Sequence, residues 1–346
     1  MDGNALTQSL PVQRFCRQYL QAEPNPDFPT DRALLRDEHV QEYLYTRLFS
    51  PEACAPAKSQ MPPAYALRIL KKLIAAIEAS IDDWDEHAVS DNLLDHFANF
   101  SSTSTAPFAV RKHRVVYSVS ALSTPPHASS SASASTRSIT FLENRATISA
   151  GGTTGIRTWE AALHLGEYLC RDQPTLVQGK RVLELGAGTG YVSILCAKHL
   201  GAAACVATDG SVEVVHSLPA NLELNGLDDK TVASRELAWG PTPPEWAEDA
   251  AAPFDVILGA DITFDARDMP DLLATIRWCL SANKGATVLI SATERNKKTF
   301  DTFMQLASEQ SLRVATVDFP VIPRHEQAGP FYSDAVPIHI CQLSVM

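Results

Sequence analysis

No stripe of lysine and arginine runs through this 346-residue chain, in which 29 basic residues stand against 40 acidic ones for a net charge of −11. A phosphate backbone is gripped by a cationic face, so this balance argues against nucleic acid as the main partner and makes a basic protein surface the more natural target. No uninterrupted apolar segment approaches the ~20 residues that span a bilayer, and Met1-Asp2-Gly3-Asn4 opens without the basic and apolar stretches of a secretory leader. The expectation is a cytoplasmic protein with no membrane partner. The seven cysteines, Cys16, Cys54, Cys170, Cys196, Cys205, Cys279 and Cys341, are odd in number and show no zinc-ligand spacing, which reads as reduced and partly buried thiols. The ten histidines are dispersed without an H-E-x-x-H, and no G-x-S-x-G elbow occurs. Metal-assisted and Ser/His/Asp chemistry are therefore set aside.

What is present is the run Arg181-Val182-Leu183-Glu184-Leu185-Gly186-Ala187-Gly188-Thr189-Gly190. Val182, Leu183 and Leu185 read as a short buried strand, the glycines as a sharp turn that lets backbone approach a bound molecule, and Tyr191 to Leu200 as a helix. A dinucleotide fingerprint, G-x-G-x-x-G, needs its third glycine at position 191, where Tyr191 stands instead, and no G-K-[ST] follows. Phosphate binding is disfavoured. The pattern suits S-adenosylmethionine, which offers an ammonium, a carboxylate, a sulfonium, a ribose and an adenine but no phosphate. Glu184 either holds charge near the ammonium end or orders the turn. Asp209, ending the apolar stretch Ala203 to Thr208, can accept both ribose hydroxyls, as acids at this distance do in nucleoside-binding Rossmann-like folds generally.

Length sets a prior of about two domains. Residues 1–105 read as a helical region, with amphipathic spacing at Leu67, Leu70, Ile74, Ile77 and Ile81 behind Pro62-Pro63, serving either packing or substrate docking. The acidic run Asp82, Asp83, Asp85 and Glu86 reads as a solvated face. Residues 106–150 read as a strand pair, His113 to Val119 and Ile139 to Ile148, joined by a mobile loop whose Ser129 to Ser135 cannot bury enough apolar surface to order itself. Residues 151–346 alternate strand and helix: strands near Arg181, Ala203, Thr231, Phe254 and Thr287, helices from Tyr191, Val212, Met269 and Lys297, and a closing strand pair. Repeated βα units force an α/β fold with a largely parallel Rossmann-like sheet and helices on both faces.

Five elements then fall into order: Thr154-Gly155-Ile156-Arg157-Thr158-Trp159-Glu160, the glycine turn, Asp209, Ala238-Trp239-Gly240, and Ala260-Asp261-Ile262-Thr263-Phe264. This resembles the seven-β-strand protein-lysine methyltransferases from about Gly151 to the C-terminus. The helical region, notably Arg14-Phe15-Cys16 through Leu48, looks like the extension of the branch that methylates translation elongation factor 2, fungal members included. The resemblance implies that Trp159 lies against S-adenosylmethionine, that Gly186, Ala187 and Gly188 surround its amino-acid end, and that Asp209 takes the ribose. It implies further that Trp239 lines the adenine pocket and that Ala260 touches the cofactor from a strand end. Asp261 would orient the acceptor amine and Phe264 wall the lysine channel. Members of the family often carry Tyr at that last position; Phe264 lacks the hydroxyl, so no proton relay is assigned to it. The expectation is a monomeric enzyme acting on a protein, with elongation factor 2 favoured. Methylation of another protein or a small molecule, and a non-catalytic assembly factor keeping the cofactor site, stand as alternatives.

Overall fold

The computed structural model describes residues 3–53, 61–102, 112–122, 137–144, 155, 157–248 and 253–346. The Ser129 to Ser135 loop and the expected domain start near Ser149 lie outside them. The chain divides into two compact units, one made of Met1–Ser118, Thr140–Ala146 and Ala328–Phe331, the other of Val119–Ile139, Thr147–Gln327 and Tyr332–Met346.

Among its described residues the first unit carries six helices, α1 (Gly3–Thr7), α2 (Leu10–Leu20), α3 (Arg32–Arg36), α4 (Glu38–Leu48), α5 (Pro63–Ser80) and α6 (Asp91–Ser102). Asp31 and Asp37 cap α3 and α4 by accepting the amides of Ala33 and Val40, satisfying donors that a helix start leaves orphaned. Pro63 opens α5, where the missing N–H costs nothing. The face of α5 carrying Leu70, Ile74 and Ile77 is buried with Val12, Phe15, Leu44 and Leu73 in one apolar core. Asp82, Asp83, Asp85 and Glu86 are exposed, although Asp82 also pairs with Arg32 and Arg36. Strands β1 (His113–Ser118) and β2 (Ser138–Glu143) pair as expected. The Tyr117 hydroxyl bonds both oxygens of the buried Glu143 carboxyl.

The second unit holds a seven-stranded sheet in the order β5-β4-β3-β6-β7-β9-β8. Its strands are β3 (Arg181–Leu185), β4 (Ala204–Asp209), β5 (Val232–Glu236), β6 (Val256–Ala260), β7 (Thr287–Thr293), β8 (Leu312–Val317) and β9 (Ile338–Val345). Its helices are α7 (Glu160–Arg171), α8 (Tyr191–His199), α9 (Val212–Leu224), α10 (Glu245–Glu248), α11 (Met269–Ala282) and α12 (Lys297–Glu309). Strands β3 to β7 run parallel, and β9 is antiparallel to both β7 and β8. This is the α/β Rossmann-like sheet expected. Four of the five residues of β3 are buried, as a central parallel strand covered on both faces requires. Beside β3 lie β4 on one side and β6 on the other, so the strand order reverses there, and the carboxyl ends of those strands flank a crevice. The six described cysteines are free and buried. Among the described residues no helix is long and apolar enough to cross a membrane.

Candidate active site

At that reversal point lies a cavity of about 920 Å³, within the range of small-molecule sites. All ten residues singled out from the sequence line it: Trp159, Glu184, Gly186, Ala187, Gly188, Asp209, Trp239, Ala260, Asp261 and Phe264.

The glycine turn is held by its neighbours. Gly186, Gly188 and Gly190 have φ of +66, +53 and +85, values that suit residues without a Cβ. The Ala187 amide donates to Thr208 O at 2.7 Å. The Gly188 amide donates to Asp209 Oδ2 at 3.0 Å, and the Ser211 amide donates to Asp209 Oδ1 at 3.0 Å. Burial raises the Asp209 carboxyl above its ordinary value, against the pull of those amides. A Cβ at Gly188 would stand 3.5 Å from Gly155 Cα, and the hydroxyls of Thr158 and Thr189 are 2.7 Å apart. The segment leading to Trp159 thus packs directly on the turn.

Glu184 stands beside the turn and lines the cavity. It is buried, and its Oε2 accepts the Ser193 amide at 2.9 Å and the Ser193 hydroxyl at 2.5 Å. Ser193 is the third residue of α8, so the carboxyl closes an orphan donor at the helix start and orders the turn. Burial pushes this carboxyl up to about 7, although the Ser193 bonds pull it down.

Asp261 follows the last residue of β6 and is 8% exposed. Its φ of +55 is unusual for a residue with a side chain. Its amide donates to Ser291 O at 2.8 Å, while its Oδ1 accepts the Thr293 amide at 3.2 Å. Arg295, two residues beyond β7, reaches both carboxylate oxygens, Nη1 to Oδ1 at 3.2 Å and Nη2 to Oδ2 at 2.9 Å. The same Nη2 is 2.9 Å from Glu160 Oε2. The guanidinium carbons of Arg157 and Arg295 lie 3.9 and 5.0 Å from the Trp159 ring centroid. Phe264 is 55% exposed.

Ile262 ties the two ends together. Its Cγ2 lies 2.5 Å from where a Gly186 Cβ would be, and its Cδ1 lies 2.5 Å from where a Gly259 Cβ would be. The Trp239 ring approaches the same Gly186 position at 3.5 Å. Sequence reasoning passed over Ile262, Arg157 and Arg295. The only signal for Arg295 was a cation just past a strand of the parallel sheet, at the end where ligands gather. The arrangement can therefore seat a nucleoside against Asp209 and present one oriented carboxylate to a hydrogen-bond donor.

Comparison with known proteins agrees with this chemistry. A family model described as lysine methyltransferase matches residues 142–310. A protein-lysine N-methyltransferase of Chaetomium thermophilum, EFM3, is 47% identical over 341 residues, covering 95% of this chain and 96% of that protein. The EFM3 of Saccharomyces cerevisiae is 33% identical over 186 residues, 49% of this chain and 53% of that protein. The human protein-lysine N-methyltransferase EEF2KMT is 28% identical, covering 94% of each chain.

Proposed function

The chain belongs to the lysine methyltransferase family, and from that premise we propose that it methylates a lysine side chain of translation elongation factor 2 with S-adenosylmethionine as donor. The single observation that carries the proposal is the convergence of the glycine turn, Asp209, Trp159, Trp239 and Asp261 on one cavity. The preference for elongation factor 2 rests on the helical extension, since the Chaetomium and human relatives align with this chain over nearly all of it. In this reading residues 151–346 form the catalytic domain, 106–150 a strand pair with its Ser/Ala/Pro-rich loop, and 1–105 a packing or docking region. The enzyme acts as a cytoplasmic monomer.

The residues fit the donor. Gly186, Ala187 and Gly188 would hold its amino-acid end, Asp209 its ribose, and Trp159, Trp239 and Ala260 the rest of the molecule. S-adenosylmethionine supplies a methyl group already activated on a sulfonium. The protein's task is to place an acceptor. A lysine amine with an ordinary pKa near ~10.4 must shed a proton before its lone pair is available, which a less polar channel favours. Asp261 accepts a hydrogen bond from the amine and aims that lone pair, as one part of an alignment of two bound reactants that in total is worth up to about 7–11 kcal/mol. Phe264 walls the channel, and with no hydroxyl it passes no proton. Glu213, Asp265, Asp268 and Asp271 also line the cavity, with Arg157 and Arg267, an acidic excess that attracts a basic substrate surface before the amine sheds its proton.

The test is mass spectrometry of elongation factor 2 purified from cells lacking this protein, after incubation with S-adenosylmethionine and either the wild type or Asp261→Ala. A lysine that gains one or more CH₂ masses with the wild type alone supports the proposal. An unmodified factor despite cofactor binding removes the substrate, and failure of the wild type to bind the cofactor removes the whole reading.

A further inference from the structure

A carboxylate offers about four lone-pair positions. In Asp261 three are taken: Oδ1 accepts from the Thr293 amide and Arg295 Nη1, and Oδ2 accepts from Arg295 Nη2. One position remains, on Oδ2. Resting on the reading of Asp261 as the residue that orients the amine, we propose that Arg295 is a positioning residue for methyl transfer, fixing the Asp261 carboxylate so that its one remaining acceptor position meets the amine.

Three observations support this over a merely structural role. Asp261 sits in left-handed backbone, which persists only where the surroundings over-determine it. The Arg295 side chain is 42% exposed while that of Asp261 is 7% exposed, so the guanidinium adds little to core packing and its contribution is directional, a fork that holds both oxygens of a buried carboxylate. Every charged or aromatic partner found for Arg295 is at the cavity: Asp261 and Trp159 line it, and Glu160 adjoins Trp159. The bidentate fork also offsets the charge of Asp261. Without it, a lysine ammonium would be held as a salt bridge, bound well but with its lone pair still protonated.

The inference is tested by steady-state methylation of the protein substrate with the full-length wild type, Arg295→Ala, Arg295→Lys, Asp261→Asn and the double variant Asp261→Asn/Arg295→Ala. Arg295→Ala is expected to lower kcat about 10- to 100-fold, with KM for the protein unchanged or lower. Arg295→Lys, which keeps the charge but not the fork, recovers part of the loss. The double variant is no slower than Asp261→Asn alone, because Arg295 acts through Asp261. A kcat within twofold of wild type for Arg295→Ala, a loss confined to KM, or losses that multiply in the double variant would each overturn the inference. Crystal structures of wild type and Arg295→Ala supply a readout independent of activity. An Asp261 carboxylate that keeps its orientation without Arg295 refutes the positioning role even if the wild type proves inactive on elongation factor 2, whereas a rotated carboxylate supports it.

Discussion

Replacing Gly186 with alanine is expected to damage both ends of the cavity through one side chain. The new Cβ would stand 2.5 Å from Ile262 Cγ2. That atom is fixed to a β-branched carbon and cannot swing aside as a chain end would, and Ile262 is 5% exposed with little room to retreat. Overpacking of this kind costs about 1–3 kcal/mol. The φ of +66 adds a further cost of about 1–2 kcal/mol for a residue with a Cβ. Together they give about 2–5 kcal/mol, and at ~2–4 °C per kcal/mol for a unit of this size the thermal midpoint falls by about 10 °C. Ile262 directly follows Asp261, so the displacement reaches the acceptor site and kcat falls as well.

Gly259 approaches the same side chain from the other side and separates this account from a general intolerance of substitution. Its Cβ would meet Ile262 Cδ1 at 2.5 Å and Ile290 Cδ1 at 3.0 Å, both free ends that can move, so Gly259→Ala is the milder change. Ile262→Val removes Cδ1 and keeps Cγ2; it is expected to relieve Gly259→Ala and leave Gly186→Ala unrelieved. Ile262→Ala removes both atoms and relieves the steric part of each. Ile→Val alone costs about 0.5–1.5 kcal/mol, so the comparison is made as a double-mutant cycle by chemical denaturation, with cofactor titration alongside. Equal rescue of both glycine variants by valine would refute the reasoning.

Two further outcomes are expected. Burial raises the Glu184 carboxyl to about 7 from an ordinary 4.5, so the folded state holds the proton more tightly than the unfolded one. The resulting stability is fully present below about pH 4.5 and is lost as pH rises through 7, a span of about 3 kcal/mol. Glu184→Gln removes this slope, so its stability relative to wild type should rise by that order between pH 4.5 and 8.5; parallel curves in urea melts across that range would contradict it. Asp209→Ala removes the acceptor of the Gly188 and Ser211 amides together with the proposed ribose contact. With about 1.5–3 kcal/mol for hydrogen bonds to a charged group, the Kd for S-adenosylmethionine should rise about 10- to 100-fold by calorimetry, and an unchanged Kd would remove Asp209 from the site.

Those elements whose signals are local were legible in the sequence. Helix α12 starts at its expected Lys297, and the strand ends that deliver Glu184, Asp209 and Ala260 lie where apolar runs stop. Positions at the carboxyl ends of parallel strands share one edge of the sheet, so naming the strand ends nearly named the site. What reaches across the sheet was not legible. The placement of β9 between β7 and β8 depends on pairing that a closing strand pair leaves open. Glu184 could have faced ligand or helix; it lines the cavity and also bonds Ser193, which only the turn geometry brings back over it. Arg295 lies 34 residues from Asp261, just past the end of another strand, with nothing in either local pattern to join them.

Strain and burial of charge in this chain gather where the proposed chemistry is. Among the described residues three non-glycines have positive φ, Ala22, Asp261 and Ser311, and only Asp261 lines the cavity. The same cavity holds two glycines of left-handed backbone, Gly186 and Gly188, and a buried carboxyl, Glu184, that burial drives toward neutrality. The left-handed backbone of Asp261 and the burial of Glu184 each cost stability, and a fold selected for stability alone would have no use for them together. Ile262 shows why they coincide. Filling the gap between Gly186 and Gly259 fixes the residue after Asp261, so the packing at the turn proposed to admit the cofactor also sets the direction of the carboxylate proposed to meet the acceptor. A change that loosens one end must loosen the other, which is why cofactor affinity and kcat are expected to fall together in Gly186→Ala yet separate in Arg295→Ala.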